Sequence, residues 1–209
     1  MSSAATPKGE RRRQALVEAA ADLLLEGGFD AVRHRSVATR ADLPLASTTY
    51  YFESLDDLIA CAVERNGTRD LAAMRSRVGE IVHLPRGSSD TADLLVELMI
   101  GPPEPSETDR ERLITRYERF VACARSAALR DVQRRLKAQV DEALADALLR
   151  SDRDAHEGTL RKLVAIVDGA VVSSLAEHEM DPRELARGML SDVIDILAPR
   201  VTHPAAEGA

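Results

Sequence analysis

Five consecutive side chains, Ser47-Thr48-Thr49-Tyr50-Tyr51, each end in a hydroxyl, and Arg35 and Arg40 precede them closely. Hydroxyls donate and accept hydrogen bonds, and guanidinium groups donate in a planar fork. Together they are the groups that contact phosphate oxygens and base edges. The chain of 209 residues has three Tyr, three Phe and no Trp, and half of those six rings are Tyr50, Tyr51 and Phe52. Adjacent tyrosines on a helix point about 100° apart and cannot both be buried easily, whereas Phe52 can serve a core. This is a surface built to touch something polar.

The elements that must position it are two short helices joined by a tight turn. Val37, Ala38 and Ala41 give the first helix an apolar face at helical spacing. Asp42 tolerates the left-handed backbone that a sharp turn requires. Pro44 suits a first helical position, having no N–H to leave unsatisfied.

The region from about Arg11 to Glu64 resembles the DNA-binding domain of the TetR family of transcriptional regulators. The likeness rests on Gly28-Phe29-Asp30-Ala31-Val32 after the first helix and on Val37-Ala38 in the second. It continues through Thr49-Tyr50-Tyr51-Phe52-Glu53-Ser54 into Asp56-Asp57-Leu58. The run from Pro44 to Phe52 is similar to a branch carrying a Thr-Thr-Tyr-Tyr-Phe ending. Against the family pattern, Asp42 replaces a turn Gly, Thr49 a Tyr, Leu55 a phosphate-holding Lys, and Arg33 a capping Ser or Thr. The resemblance implies a homodimeric repressor, released from double-stranded operator DNA by a small-molecule effector. On that reading the Leu45–Phe52 helix enters the major groove. Ser47, Thr48 and Tyr50 then face base edges, Thr49 and Tyr51 lie nearer the phosphates, and Arg35 and Arg40 hold the backbone.

Composition allows this. Apolar content of 44% and charged content of 30% are ordinary for a globular protein. No apolar run approaches 18 residues, so no membrane span is expected, and the opening residues lack a secretory signal. Cys61 and Cys123 are too few for a disulfide framework, which points to buried free thiols and a cytoplasmic setting. The net charge of −7 is unevenly spread. Residues 1–41 carry seven basic and five acidic side chains, a balance of +2, against 21 and 30, a balance of −9, in the remainder. An acidic body with a basic footprint discourages non-specific sticking to DNA.

The remaining chain reads as helices only, giving an all-α fold of about nine. The expected order is an arm at 1–8, a three-helix helix-turn-helix domain at 9–54, a helical-bundle domain for effector binding and dimerisation at 55–199, and a loose tail at 200–209. Lys8 and Arg11-Arg12-Arg13 open the first helix, and Gly27-Gly28 end it. A long helix spans about 55–82, with Gly67 and Gly79 as expected bends and as hinges for coupling effector to DNA. Helices at 159–179 and 182–198 are apolar on more than one side and are expected to bury Val167 and Val171 against a second copy. Met99, Tyr117, Phe120 and Cys123 lie on helices expected to face an effector cavity, with core packing as the competing role for each.

Catalytic chemistry finds no footing. Glu80 and His83 have the spacing of a di-metal helix ligand pair, but no second such pair exists. His156, His178 and His203 show no ligand spacing, and no phosphate loop or nucleophile motif occurs. No metal, cofactor or enzymatic activity is therefore expected. A helical small-molecule-binding module or enzyme with a degenerate DNA-binding domain is the alternative, favoured by Thr49 and Leu55 alone.

Overall fold

The computed structural model describes residues 6–103, 106–177 and 180–201, with the backbone alone at 106–108. His178, Glu179, His203, most of the expected arm and nearly all of the expected tail lie outside the described residues. Among those described there are nine helices and no strand, only one isolated antiparallel bridge between Arg153 and Arg200. The helices are α1 (Pro7–Ala31), α2 (His34–Arg40), α3 (Ala46–Tyr51), α4 (Leu55–Glu80), α5 (Ser88–Ile100), α6 (Ser106–Arg125), α7 (Ala127–Leu149), α8 (Glu157–Leu175) and α9 (Pro182–Leu197).

Local chemistry sets their ends. The Thr6 hydroxyl accepts from the Gly9 N–H at 3.2 Å, so α1 begins at Pro7, inside the stretch read as an arm. Gly27 and Gly28 leave helical geometry, Gly28 with φ of 64°, and this breaks α1 where the glycines predict. Asp181 caps α9 through its carboxylate, 2.7 Å from the Arg183 N–H, ahead of Pro182. The helix expected to reach Glu179 stops at Leu175. Val201 donates from its N–H to Asp152 at 2.9 Å, so the first residues of the expected tail are tied down.

Two compact units emerge. One comprises the chain up to Leu71 together with Thr115–Leu136, and the other comprises Ala72–Ile114 with the chain from Lys137 onward. In the first, Leu16, Val37, Leu58 and Val63 are wholly buried in one apolar cluster with Phe52, Cys123, Leu129 and Val132. A hairpin of α6 and α7 thus shares the core of the helix-turn-helix. Polar links fasten α1 to α4: buried Asn66 donates to the Ala21 carbonyl at 2.9 Å, and Arg69 reaches both Asp22 at 2.9 Å and Glu18. Gly67 is no hinge. It sits within continuous helix, and a Cβ there would stand 2.2 Å from a Leu136 methyl, so its role is close approach. Gly79, with nothing within 4 Å, also lies inside α4.

In the second unit α9 packs between α5 and α8. Arg153 is wholly buried, donating to Thr91 Oγ1 at 2.9 Å, Asp195 at 2.8 Å and the Ala198 carbonyl at 3.0 Å. Arg183 binds Asp109 and the Gly101 and Pro102 carbonyls, joining the start of α9 to α6 and the loop before it. Every buried cation in this cluster meets a matched acceptor, as burial of charge demands.

Candidate nucleic-acid interface

The turn between α2 and α3 is built as the sequence predicts. Asp42 takes φ of 52°, and the Leu43 N–H returns to the Ala38 carbonyl at 3.0 Å. Arg33 starts α2 without a hydroxyl of its own; Ser36 Oγ accepts its N–H at 3.1 Å, supplying the cap from three residues ahead. The first turn into α3 begins at Pro44, whose carbonyl accepts from Ser47 at 2.8 Å.

Core contacts decide which way α3 faces. Thr48 is 0% and Phe52 2% exposed, four residues apart on the inward stripe. Thr48 was expected at a base edge. It is instead an inward anchor whose hydroxyl donates to the Leu45 carbonyl at 2.8 Å. Burying it turns Leu45, Thr49 and Tyr50 outward, with Ser47 half-exposed; Tyr50 is 79% exposed. Tyr51 packs edge-on to Tyr50 with ring centroids 4.8 Å apart. Its phenol lies at the first turn of α1, 3.6 Å from where a Cβ on Gly9 would stand.

Between α1 and α2, Leu23, Arg33, Arg35, Ser36, Thr39 and Arg40 line an open cavity of about 460 Å³. Arg33, Ser36, Thr39 and Arg40 recur at three- and four-residue steps along one side of α2. That periodicity is legible in the sequence and adds Arg33, Ser36 and Thr39 to the expected Arg35 and Arg40. Arg35 is exposed, while Arg40 is engaged by Glu26. The Arg40 hydrogen bond holds the Glu26 carboxyl below the ordinary range, and Glu26 in turn raises Arg40. At the start of α1, Arg11 and Arg12 are exposed, whereas Arg13 lies over the Phe52 ring at 5.1 Å and donates to Cys61 Sγ at 3.4 Å. Arg13 therefore covers the core rather than facing outward.

The residues expected around an effector fall in different units. Met99 belongs to α5 in the second unit and is buried. Tyr117, Phe120 and Cys123 belong to the part of α6 in the first unit, with the Tyr117 and Phe120 rings stacked at 5.7 Å. Cys123 sits in the apolar core beside α1 and α4, and burial pushes its thiol up; burial does the same to Cys61. Both are free thiols held away from their reactive form. A second cavity, of about 230 Å³, lies between Arg77, Glu80, Ile81, Leu94, Glu97 and Leu98 and includes none of the four. Among the described residues no group of His, Cys, Asp and Glu is placed to hold a metal ion, and no helix is long and apolar enough to cross a membrane.

Residues 86–196 match the family model described as the tetracyclin repressor-like C-terminal domain. The chain is similar to the HTH-type transcriptional regulator PksA of Bacillus subtilis (strain 168), with 27% identity over 196 residues, covering 88% of this chain and 87% of that protein. Among solved structures it is similar to the multidrug-binding protein EbrR complexed with proflavin. That likeness has 32% identity and a TM-score of 0.63 over 88% of this chain and 99% of that one. A TetR transcription regulator from Haloarcula marismortui ATCC 43049 shares the fold, with a TM-score of 0.65 and 20% identity over 90% and 99% of the two chains.

Proposed function

The chain belongs to the TetR family of transcriptional regulators, and on that premise we propose a repressor that leaves its operator when a small-molecule effector binds. It is a DNA-binding regulator that responds to small molecules rather than an enzyme, working in the cytoplasm. The observation that carries the reading is the division of labour on α3, with Thr48 and Phe52 inward and Ser47, Thr49 and Tyr50 outward. An inward anchor fixes the rotation of a six-residue helix, and so aims its hydroxyls at a major groove. Tyr50 and Ser47 read base edges, Thr49 and Tyr51 approach the sugar-phosphate strand, and Arg35 with Arg33 in the adjoining cleft takes phosphate. The Thr-Thr-Tyr-Tyr-Phe ending supports placement in the branch that shares it.

A two-fold dimer through α8 and α9 completes the reader. Val167 and Val171, expected at the partner face, are buried within the chain itself. The face left open is another one: Ala165, Gly169 and Val172 on α8 with Gly188, Met189 and Ile196 on α9. Ile196 is 79% exposed, and nothing stands within 4 Å of a Cβ on either glycine, so a second copy can approach closely. Two recognition helices would then meet successive major-groove faces about 34–36 Å apart.

Coupling follows the connectivity. α4 begins three residues after Phe52 and runs from the first unit into the second, and the 115–136 hairpin shares a core with the DNA-reading head. An effector held by either can shift the head, and operator DNA must reciprocally weaken the effector. The deciding experiment is a mobility shift with the DNA flanking the coding region. A discrete complex that survives excess random DNA supports the reading, and equal affinity for both DNAs overturns it.

A further inference from the structure

We propose that the effector is an organic anion with an aromatic or apolar body, its acidic group held by the guanidinium of Arg119 with Arg116 beside it. This rests on the effector-gated reading above and names the ligand class. The Arg119 side chain is only 17% exposed, yet its carboxylate partner, Asp70 on α4, stands at a long 3.7 Å and is itself 66% exposed. Elsewhere this chain treats enclosed cations differently. Arg183 and Arg153 each donate to several close acceptors. A cation taken out of water without a matched anion is costly, so it is kept where another anion completes it.

The surroundings fit such an anion. Burial, the dominant influence, pushes the Arg119 pKa down; Asp70 opposes the shift and neighbouring Arg116 adds to it. Two guanidinium groups one helical turn apart repel unless a negative group lies between them. Arg116 lies over the Phe120 ring, 6.0 Å from its centroid, and Tyr117 stacks on the same ring. Arg116 and Arg119 thus offer forks for a carboxylate or sulfonate, and Tyr117 and Phe120 offer aromatic surface for the body attached to it. An entering carboxylate would take over the place that Asp70 fills poorly. The similar protein EbrR has been solved with proflavin and ethidium, both cationic dyes. Arg116 and Arg119 oppose that charge.

The test uses the full chain with two probes, anionic 1-anilinonaphthalene-8-sulfonate and cationic ethidium. The expected result is saturable binding of the anion at one site per chain, with ethidium weaker by tenfold or more. Arg119→Met should lose about tenfold or more of the anion affinity, the loss of a charge-assisted contact, and Arg119→Lys should recover part of it. Preference for ethidium, no saturable anion binding, or unchanged anion binding in Arg119→Met would overturn the proposal. If Arg119→Met fails to fold by circular dichroism, Arg116→Met decides, with a several-fold loss expected and an unchanged affinity overturning it. Mobility shifts without dye, on the DNA flanking the coding region, keep the two readings apart. Loss of DNA recognition in the unmodified protein counts against the regulator, and loss of dye preference counts against the anion.

Discussion

Arg40 and Glu26 form a two-point ion pair between α2 and the end of α1, with Nη1 to Oε1 at 2.8 Å and Nη2 to Oε2 at 2.6 Å. The carboxylate occupies the fork that a DNA phosphate would use. Arg40 is thereby neutralised at the edge of the basic cleft, while Arg35 stays exposed.

Glu26→Gln should free that fork and raise affinity for random DNA. It should also steepen the dependence of log K on log salt by about one phosphate contact. Arg35→Ala should flatten the same slope by about one, and Arg40→Ala by less. Titration of fluorescently labelled random duplex at several salt concentrations measures all three. Equal slopes for Glu26→Gln and the unmodified chain would mean that Arg40 never reaches phosphate.

Tyr50 and Thr48, two residues apart, should behave oppositely. Tyr50→Phe removes an outward hydroxyl and should cost about 1–3 kcal/mol on the specific site, with little change on random DNA. Thr48→Val removes an inward hydrogen bond. It should lower unfolding stability by about 1 kcal/mol and leave the specific-to-random ratio alone. Denaturant melts beside competition shifts separate the two outcomes.

Val172→Arg or Ile196→Arg places a charge on the open α8–α9 face and should give a folded monomer that no longer holds its operator. Val167→Arg and Val171→Arg put the charge into the chain's own core and should unfold it, at a cost of several kcal/mol. Light scattering with circular dichroism reads both. A dimeric Ile196→Arg and Val172→Arg pair would place the interface elsewhere.

Asp109 makes a prediction about acid. Burial pushes its carboxyl up, but hydrogen bonds from Arg183 and then Arg112, with their charges, outweigh that and hold it below the ordinary carboxylate range. A depressed folded pKa contributes stability that is present above the unfolded value near 3.8 and lost as pH falls through the folded one. Asp109→Asn should therefore melt lower than the unmodified chain at pH 7, by about 3–5 kcal/mol for a broken buried pair. The difference should shrink as pH drops below about 4. A constant difference across pH 3–7 would contradict the assignment.

The sequence by itself determined the helices, most of their ends and the family. Those depend on neighbours in the chain: a hydroxyl or carboxylate three residues ahead, a glycine pair, an apolar residue every third or fourth position. Asp42 in the left-handed turn and Pro182 at the head of α9 were legible for that reason. Which side of a short helix faces inward was decided only by tertiary packing. Ser47, Thr48 and Thr49 are alike in local chemistry, and the core around Phe52 selected Thr48. In the same way packing within the second unit buried Val167 and Val171 on α8 and left Val172 on α8 and Ile196 on α9 open. Gly67 reads as a weak point until Leu136, 69 positions later, is seen to need its missing Cβ. The pairing of Arg40 with Glu26 and the poor pairing of Arg119 with Asp70 depend on distances in space between helices, and no spacing along the chain encodes them.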